Sequence, residues 1–310
     1  MKGQCSTKDA AGAFEVQAPS VGWMTRFRAP LTRDSLRIPT RGFTRGVPRP
    51  AEALGFVAFV ALLFLVLGAP LQIRFGELGL LAAEWLLLLV PALLFVRFGG
   101  LDFGPTLSLR RPTRRGVLGA LVLIAGATPA AWFVGWLQTY FLPIPWEVLE
   151  GLEEFVTADS AGRLVWLLVL LAVTPAVCEE VVFRGVLLAG TRSLDPWRFI
   201  LLNGALFGAL HLSFQTAIRF LPTASLGIVI AWAVWRTGSI WTGVLMHLIN
   251  NASIVVLASV PSLREFLSDP EAPPPLWLIP FAAIALALGV HALRTEGADS
   301  TFPTRNESEN

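Results

Sequence analysis

The residues best suited to chemistry in this chain are ionisable side chains inside otherwise apolar stretches. Glu179 and Glu180 are adjacent, and Arg184 follows the second glutamate by four residues, about one helical turn. Glu180 and Arg184 can therefore pair, whereas Glu179 points about 100° away on the same helix. This separation makes Glu179 a candidate general base. Taken alone, a Glu-x-x-x-Arg sequence is more often a helix-end salt bridge at a membrane surface.

Two later apolar segments each carry a histidine with a partner at helical spacing. Phe207 precedes His211 by four residues, and Asn251 follows His247 by four residues. Residues four apart share one face of a helix, so Asn251 is favoured over Asn250 as the neighbour of His247. A single intramembrane histidine is commonly a hydrogen-bonding group between helices. Two histidines, two glutamates, an arginine and an asparagine on nearby helices favour a functional site instead.

Composition indicates the elements that must position these residues. Hydrophobic residues make up 54% of the 310 residues, charged residues 15%, and the mean hydropathy is +0.63. Soluble domains carry about 25% charged residues, so lipid is the expected solvent. We predict an all-α, polytopic transmembrane helix bundle of about eight spans. The windows are 53–71, 78–96, 116–140, 162–180, 197–214, 221–236, 239–260 and 275–293.

Charge distribution predicts the topology. Residues 1–50 contain nine Lys and Arg, which indicates a disordered basic cytoplasmic tail on an anionic membrane face in preference to a nucleic-acid-binding patch. Segment 141–161 has five acids and no Lys or Arg, and it predicts an amphipathic interfacial helix near 144–160. Lys and Arg are concentrated in alternate connections between the predicted spans, which places both termini in the cytoplasm. The plasma (inner) membrane is the expected location. The domains predicted are N-terminal transmembrane helices 51–161, a motif-bearing core 162–260, a final helix 261–294 and a disordered tail 295–310.

Three motifs together resemble the CPBP family of membrane proteases, also called the CAAX protease and bacteriocin-processing or Abi family. They are Glu-Glu-x-x-Phe-Arg-Gly at 179–185, Phe-x-x-x-His at 207–211 and His-x-x-x-Asn at 247–251. The resemblance covers about residues 162–260. It implies an intramembrane endopeptidase whose substrate is a membrane-associated or lipidated (CAAX-type) protein or peptide, with the lipid bilayer as the other partner and no nucleic acid.

The resemblance also implies roles for the site residues. Glu179 and His211 would hold and activate the hydrolytic water, while His247 and Asn251 would stabilise the oxyanion. Glu180 and Arg184 would fix the helix that presents the base. Glu179, His211 and His247 would also supply the two histidines and one carboxylate of a catalytic zinc site. Because the chain has no His-Glu-x-x-His sequence, a metal-free glutamate mechanism and a zinc mechanism both stay open.

Two other classes of function compete with a protease. A proton-coupled membrane transporter would use the same buried Glu, His and Arg residues in a relay, although no inverted repeat is evident. A non-catalytic membrane scaffold could retain the motifs. Among the remaining polar residues, we predict that Asn203 bonds across helices, that Glu84 lies at bundle depth and that His291 lies at an interface.

Overall fold

The computed structural model describes residues 46–212, 217–267 and 271–296, except for the side chains of 265–267. Within these residues every named element is helical, and a single isolated bridge joins Leu109 to Ser239. The all-α prediction is therefore confirmed. Most of the two predicted tails, 1–50 and 295–310, lies outside the described residues.

The helices follow one another with short connections. In chain order they are α1 Pro50–Phe75, α2 Glu77–Phe98, α3 Phe103–Leu107, α4 Arg114–Gln138, α5 Trp146–Val156, α6 Ala161–Thr191, α7 Pro196–Leu210, α8 Ala217–Thr237, α9 Ile240–Ser259, α10 Pro261–Leu267 and α11 Leu278–Arg294. Among the described residues, α1, α2, α4, α6, α8 and α9 are long and apolar enough to cross a membrane. The chain is a multi-pass integral membrane protein.

Each of the eight predicted windows forms a helix, but two of these helices are short. Helix α7 has 15 residues and α11 has 17, whereas a helix needs about 20 residues to cross the hydrocarbon core. Helix α7 ends at Leu210 with His211 as its C-cap residue, so the window 197–214 is not helical throughout. Among the described residues, six of the eight predicted windows are therefore long and apolar enough to cross a membrane, α11 is a shorter apolar helix, and α7 is shorter still.

Helix α6 differs most from its predicted window, which ended at Glu180. It has 31 residues and continues to Thr191 because the residues after the glutamate pair remain apolar and buried. The pair and Arg184 consequently lie within the helix and not at its end. The stretches Val169–Val173 and Val181–Leu187 are π-helical, a local widening that is frequent at functional sites.

Small residues bring α7 and α8 into close contact. Gly204 and Gly208 have the Gly-x-x-x-Gly spacing that lets helices approach closely in membranes. A Cβ added at Gly204 would lie 2.3 Å from Ile228 Cγ1 and 2.8 Å from the carbonyl oxygen of Ala224. Helix α7 is also bound to α6, because Asn203 Nδ2 donates a 2.7 Å hydrogen bond to the carbonyl of the π-helical Phe183. The prediction of a cross-helix bond by Asn203 is confirmed.

Helix α5 forms within the segment predicted as amphipathic, 144–160. Its end is tied to α9, since the amide of Ala158 donates to Ser259 Oγ at 3.0 Å. Glu153 lies 3.8 Å from the guanidinium of Arg264. The position of α5 at the outer interface of the membrane stays a prediction.

Candidate active site

Glu180 connects three helices at the centre of the site. Its side chain is fully buried, and Oε1 accepts a 2.8 Å hydrogen bond from Arg184 Nη1 on the same helix. The same oxygen lies 3.0 Å from Nδ1 of His247 on α9. Arg184 Nη2 donates to the carbonyl of Gly227 on α8 at 3.0 Å. Glu180 and Arg184 therefore join α6 to α8 and α9. Their role as support for the helix that presents the base stays a prediction.

Phe207 forms the apolar wall between the charged groups. The guanidinium carbon of Arg184 lies 4.3 Å from its ring centroid, a cation–π distance. The rings of His211 and His247 lie 5.0 and 5.6 Å from the same centroid. Phe183 packs edge-on against Phe207 at 5.2 Å. One phenylalanine thus sets the spacing of the arginine and both imidazoles.

Glu179 faces a different environment from Glu180, as the 100° offset predicts. Its Oε2 atom is buried without a hydrogen-bond partner and lies 3.9 Å from Nε2 of His211. His211 directly follows the last residue of α7, and its Nδ1 lies 2.9 Å from the carbonyl oxygen of Phe207. A carbonyl only accepts hydrogen bonds, so Nδ1 carries the hydrogen and Nε2 of the neutral ring is an acceptor. Glu179 Oε2 and His211 Nε2 thus face each other at a distance too long for a direct hydrogen bond.

His247 is oriented by Glu180 in the same way. A carboxylate only accepts, so Nδ1 of His247 donates to Glu180 Oε1, and Nε2 is directed away from that bond. Nε2 becomes a second donor when the ring carries its second proton. This arrangement is the carboxylate–histidine pairing that orients catalytic imidazoles.

Asn251 and Asn250 point toward different helices. Asn251 Nδ2 donates to the carbonyl of Leu171, in a π-helical part of α6, at 2.9 Å. Asn250 instead accepts from Thr128 Oγ1 on α4 at 3.1 Å and donates to Asn251 Oδ1. Asn251 is therefore the asparagine directed toward the helix of the glutamates. Its amide nitrogen has a second hydrogen, which leaves one donor beyond the bond to Leu171.

A comparison with protein families places these residues in one known domain. Residues 161–253 match the family model described as "Type II CAAX prenyl endopeptidase Rce1-like". These residues form an Rce1-like domain. Neither a curated protein nor a solved structure matches the chain. The domain begins with α6 and ends within α9, so it contains all six predicted site residues, and its family implies an intramembrane peptidase.

The sequence predicts Glu179, His211 and His247 as possible ligands of one zinc ion. Among the residues that the structure describes, no group of three His, Cys, Asp or Glu side chains could hold a metal. Glu179 and His211 face each other, but His247 is hydrogen-bonded to Glu180 and not to either of them. Zinc bound by Glu179, His211 and His247 would require these side chains to rearrange, and zinc stays a prediction.

Two glycines of the Rce1-like domain belong to the site but were not predicted. Gly227 supplies the carbonyl that binds Arg184, and Gly243 packs directly against the Glu180 carboxylate. Helical spacing could have indicated Gly243, which lies four residues before His247 on the same face of α9. Sequence alone gives no signal for Gly227, because its contact joins residues 43 positions apart.

We expect Gly243→Ala to damage both activity and stability. The new Cβ would lie 2.5 Å from Glu180 Oε2 and 2.8 Å from Val234 Cγ2, so the carboxylate must move away from His247 or Arg184. Overpacking of this kind costs about 1–3 kcal/mol. The measurements are peptide cleavage and unfolding in mixed micelles. Gly151→Ala on α5, where an added Cβ meets nothing within 4 Å, is the matched control. Wild-type behaviour of Gly243→Ala would show that Glu180 tolerates displacement.

Proposed function

We propose that the Rce1-like domain is an intramembrane endopeptidase in which Glu179 and His211 activate a water molecule. The observation that carries the proposal is the pair of acceptors Glu179 Oε2 and His211 Nε2, which lie 3.9 Å apart. Their separation is too long for a direct hydrogen bond but suits a water that donates one hydrogen to each. Such a water has its oxygen lone pairs directed away from both residues.

The reaction follows from this geometry. The water oxygen attacks the carbonyl carbon of the scissile peptide bond while Glu179 accepts one of its protons. The tetrahedral intermediate then collapses, the carbon–nitrogen bond breaks, and the proton held by Glu179 passes to the leaving amine. The products are a carboxylic acid and an amine, which become a carboxylate and an ammonium when the acid's proton passes to the amine, and Glu179 returns to its starting state. No step requires a bound metal.

Stabilisation of the oxyanion falls to His247 and Asn251. His247 Nε2 is directed away from Glu180 and donates when the ring carries both protons, and Asn251 retains one amide hydrogen beyond its bond to Leu171. Donors that are fixed before the reaction stabilise developing charge more effectively than water, which must reorient. The bonds to Glu180 and to the Leu171 carbonyl fix these two donors.

The proposed substrates are lipidated, CAAX-type peptides or membrane-tethered proteins cleaved near the cytoplasmic face of the plasma (inner) membrane. Support for a membrane-bound substrate comes from the family description and from the glutamates, which lie inside a helix of a multi-pass membrane protein. The cytoplasmic face is proposed from the alternation of Lys- and Arg-rich connections along the sequence. A lipid attached to the substrate concentrates it in the bilayer, where buried CH₂ groups each contribute about 0.8 kcal/mol.

The test compares two peptides in proteoliposomes containing the full chain. Both end in a CAAX-type sequence; one carries a prenyl group on its cysteine and the other an S-methyl group. We expect the prenylated peptide to be cleaved with a kcat/KM higher by about tenfold or more. Equal rates would leave an endopeptidase without lipid specificity. Proton movement into the liposomes without cleavage of either peptide would favour the transporter instead.

Removal of metal ions separates the two mechanisms that the sequence leaves open. We expect cleavage to persist within about twofold after treatment with a strong chelator, because the proposed reaction uses only side chains. Metal analysis of the same sample should find less than one equivalent of zinc. Loss of activity on chelation, with recovery on adding zinc, would instead establish the zinc site at Glu179, His211 and His247.

A further inference from the structure

Glu84 is a buried carboxyl outside the matched domain, for which the proposed reaction has no role. It lies in α2, is only 6% exposed, and starts the π-helical stretch Glu84–Leu89. Its Oε2 atom is buried and has no hydrogen-bond partner. An unpaired polar group at such depth costs free energy, so a membrane protein retains it for a reason.

The contacts of α2 direct Glu84 toward the glutamate pair. The stretch Glu84–Leu89 packs against Thr174–Glu180 of α6. Leu88, four residues after Glu84 and on the same helical face, belongs to one apolar cluster with Cys178. Glu84 is also an electrostatic neighbour of both Cys178 and Glu179. Its carboxyl therefore faces the part of α6 that carries the proposed base.

Two carboxyls in this interior cannot both be charged without a strong penalty. Glu84 and Glu179 each have a buried oxygen without a partner, while the Arg184 guanidinium is bound to Glu180 and to Gly227. Neighbouring carboxyls in other proteins remove such repulsion by sharing one proton. The proton converts one carboxylate into a hydrogen-bond donor for the other.

We propose that Glu84 is a positioning residue of the active site: as a neutral carboxylic acid it shares its proton with Glu179 and holds that base toward His211. The catalytic part of this inference rests on the proposed function. By this inference, α2 contributes a residue to the active site although it lies outside the matched residues 161–253.

Two variants separate a hydrogen-bonding role from simple packing. Glu84→Gln retains a donor, and we expect its kcat to stay within about threefold of wild type. Glu84→Met has a similar size but no donor, and loss of a hydrogen bond to a charged group predicts a kcat about tenfold to a hundredfold lower, with KM unchanged. Glu77→Gln, at the start of the same helix, is the control and should keep full activity. Full activity in Glu84→Met, or an equal loss in Glu84→Gln, would overturn the proposal.

An infrared measurement tests the shared proton without relying on peptide cleavage. The difference spectrum between wild type and Glu84→Gln in lipid, near neutral pH, should contain the carbonyl band of a protonated carboxylic acid. The difference spectrum for Glu77→Gln should not. If wild type cleaves no peptide but the band is present, the proposed endopeptidase activity is wrong and the proposed carboxyl pair is retained. Absence of the band from the Glu84→Gln difference spectrum would overturn the pair.

Discussion

Replacing Glu179 by glutamine should lower kcat by about 10²–10⁴-fold, the usual contribution of a general base. The amide cannot accept the proton from the attacking water, although it has nearly the same size as the carboxylate. The free energy of unfolding of Glu179→Gln should remain close to that of wild type. Glu179 Oε2 has no hydrogen-bond partner, so the substitution leaves no partner charge unpaired. Steady-state cleavage of a quenched peptide in proteoliposomes, together with unfolding in mixed micelles, measures both quantities.

A matched control and a double variant sharpen this test. Glu150→Gln, at an exposed position of α5, should leave cleavage unchanged. If Glu179 and His211 act on one water, Glu179→Gln combined with His211→Ala should be little worse than either single change, because residues acting as a unit are not additive. Multiplicative losses would assign the two residues to separate steps. Wild-type cleavage by Glu179→Gln would remove the proposed base altogether.

The parts of the site that sequence predicted are those set by spacing within one helix. The four-residue interval from Glu180 to Arg184 predicts a pair, and the structure has it at 2.8 Å. The offset between Glu179 and Glu180 predicts two environments, which are the face toward His211 and the face toward His247. Composition predicts the all-α membrane bundle for the same reason, since local periodicity and hydropathy are properties of consecutive residues.

The parts that sequence could not predict depend on how separate helices meet. Nothing local indicates that His247 binds Glu180, or that the carbonyl of Leu171 takes one hydrogen of Asn251. The end of α6 was placed too early because polar residues usually mark the edge of a span. Here Glu180 and Arg184 neutralise each other and let the helix continue, buried, to Thr191. From the sequence alone, a charge pair inside the bundle therefore cannot be distinguished from the end of a membrane span.

Arg184→Met should be the most destabilising of the changes considered, because it removes the cation from a fully buried ion pair. Glu180 would keep its charge in the interior, and His247 would be its remaining hydrogen-bonding side chain among the residues that the structure describes. Breaking a buried pair in this way costs about 3–5 kcal/mol. Unfolding of the full chain in mixed micelles measures the loss. Arg163→Met, which breaks the partly exposed pair with Glu77, should cost about 1 kcal/mol or less.

The double variant Glu180→Gln with Arg184→Met distinguishes an unpaired charge from lost packing. Removing both charges leaves no uncompensated ion, so a large part of the stability lost in Arg184→Met should return. Peptide cleavage should not return with it, because glutamine holds the Nδ1 hydrogen of His247 without a negative charge. A double variant as unstable as Arg184→Met would show that the guanidinium acts mainly through the ring of Phe207 and the carbonyl of Gly227. Recovery of stability without recovery of cleavage would separate the two functions of Glu180, as structural partner of Arg184 and as orienting partner of His247.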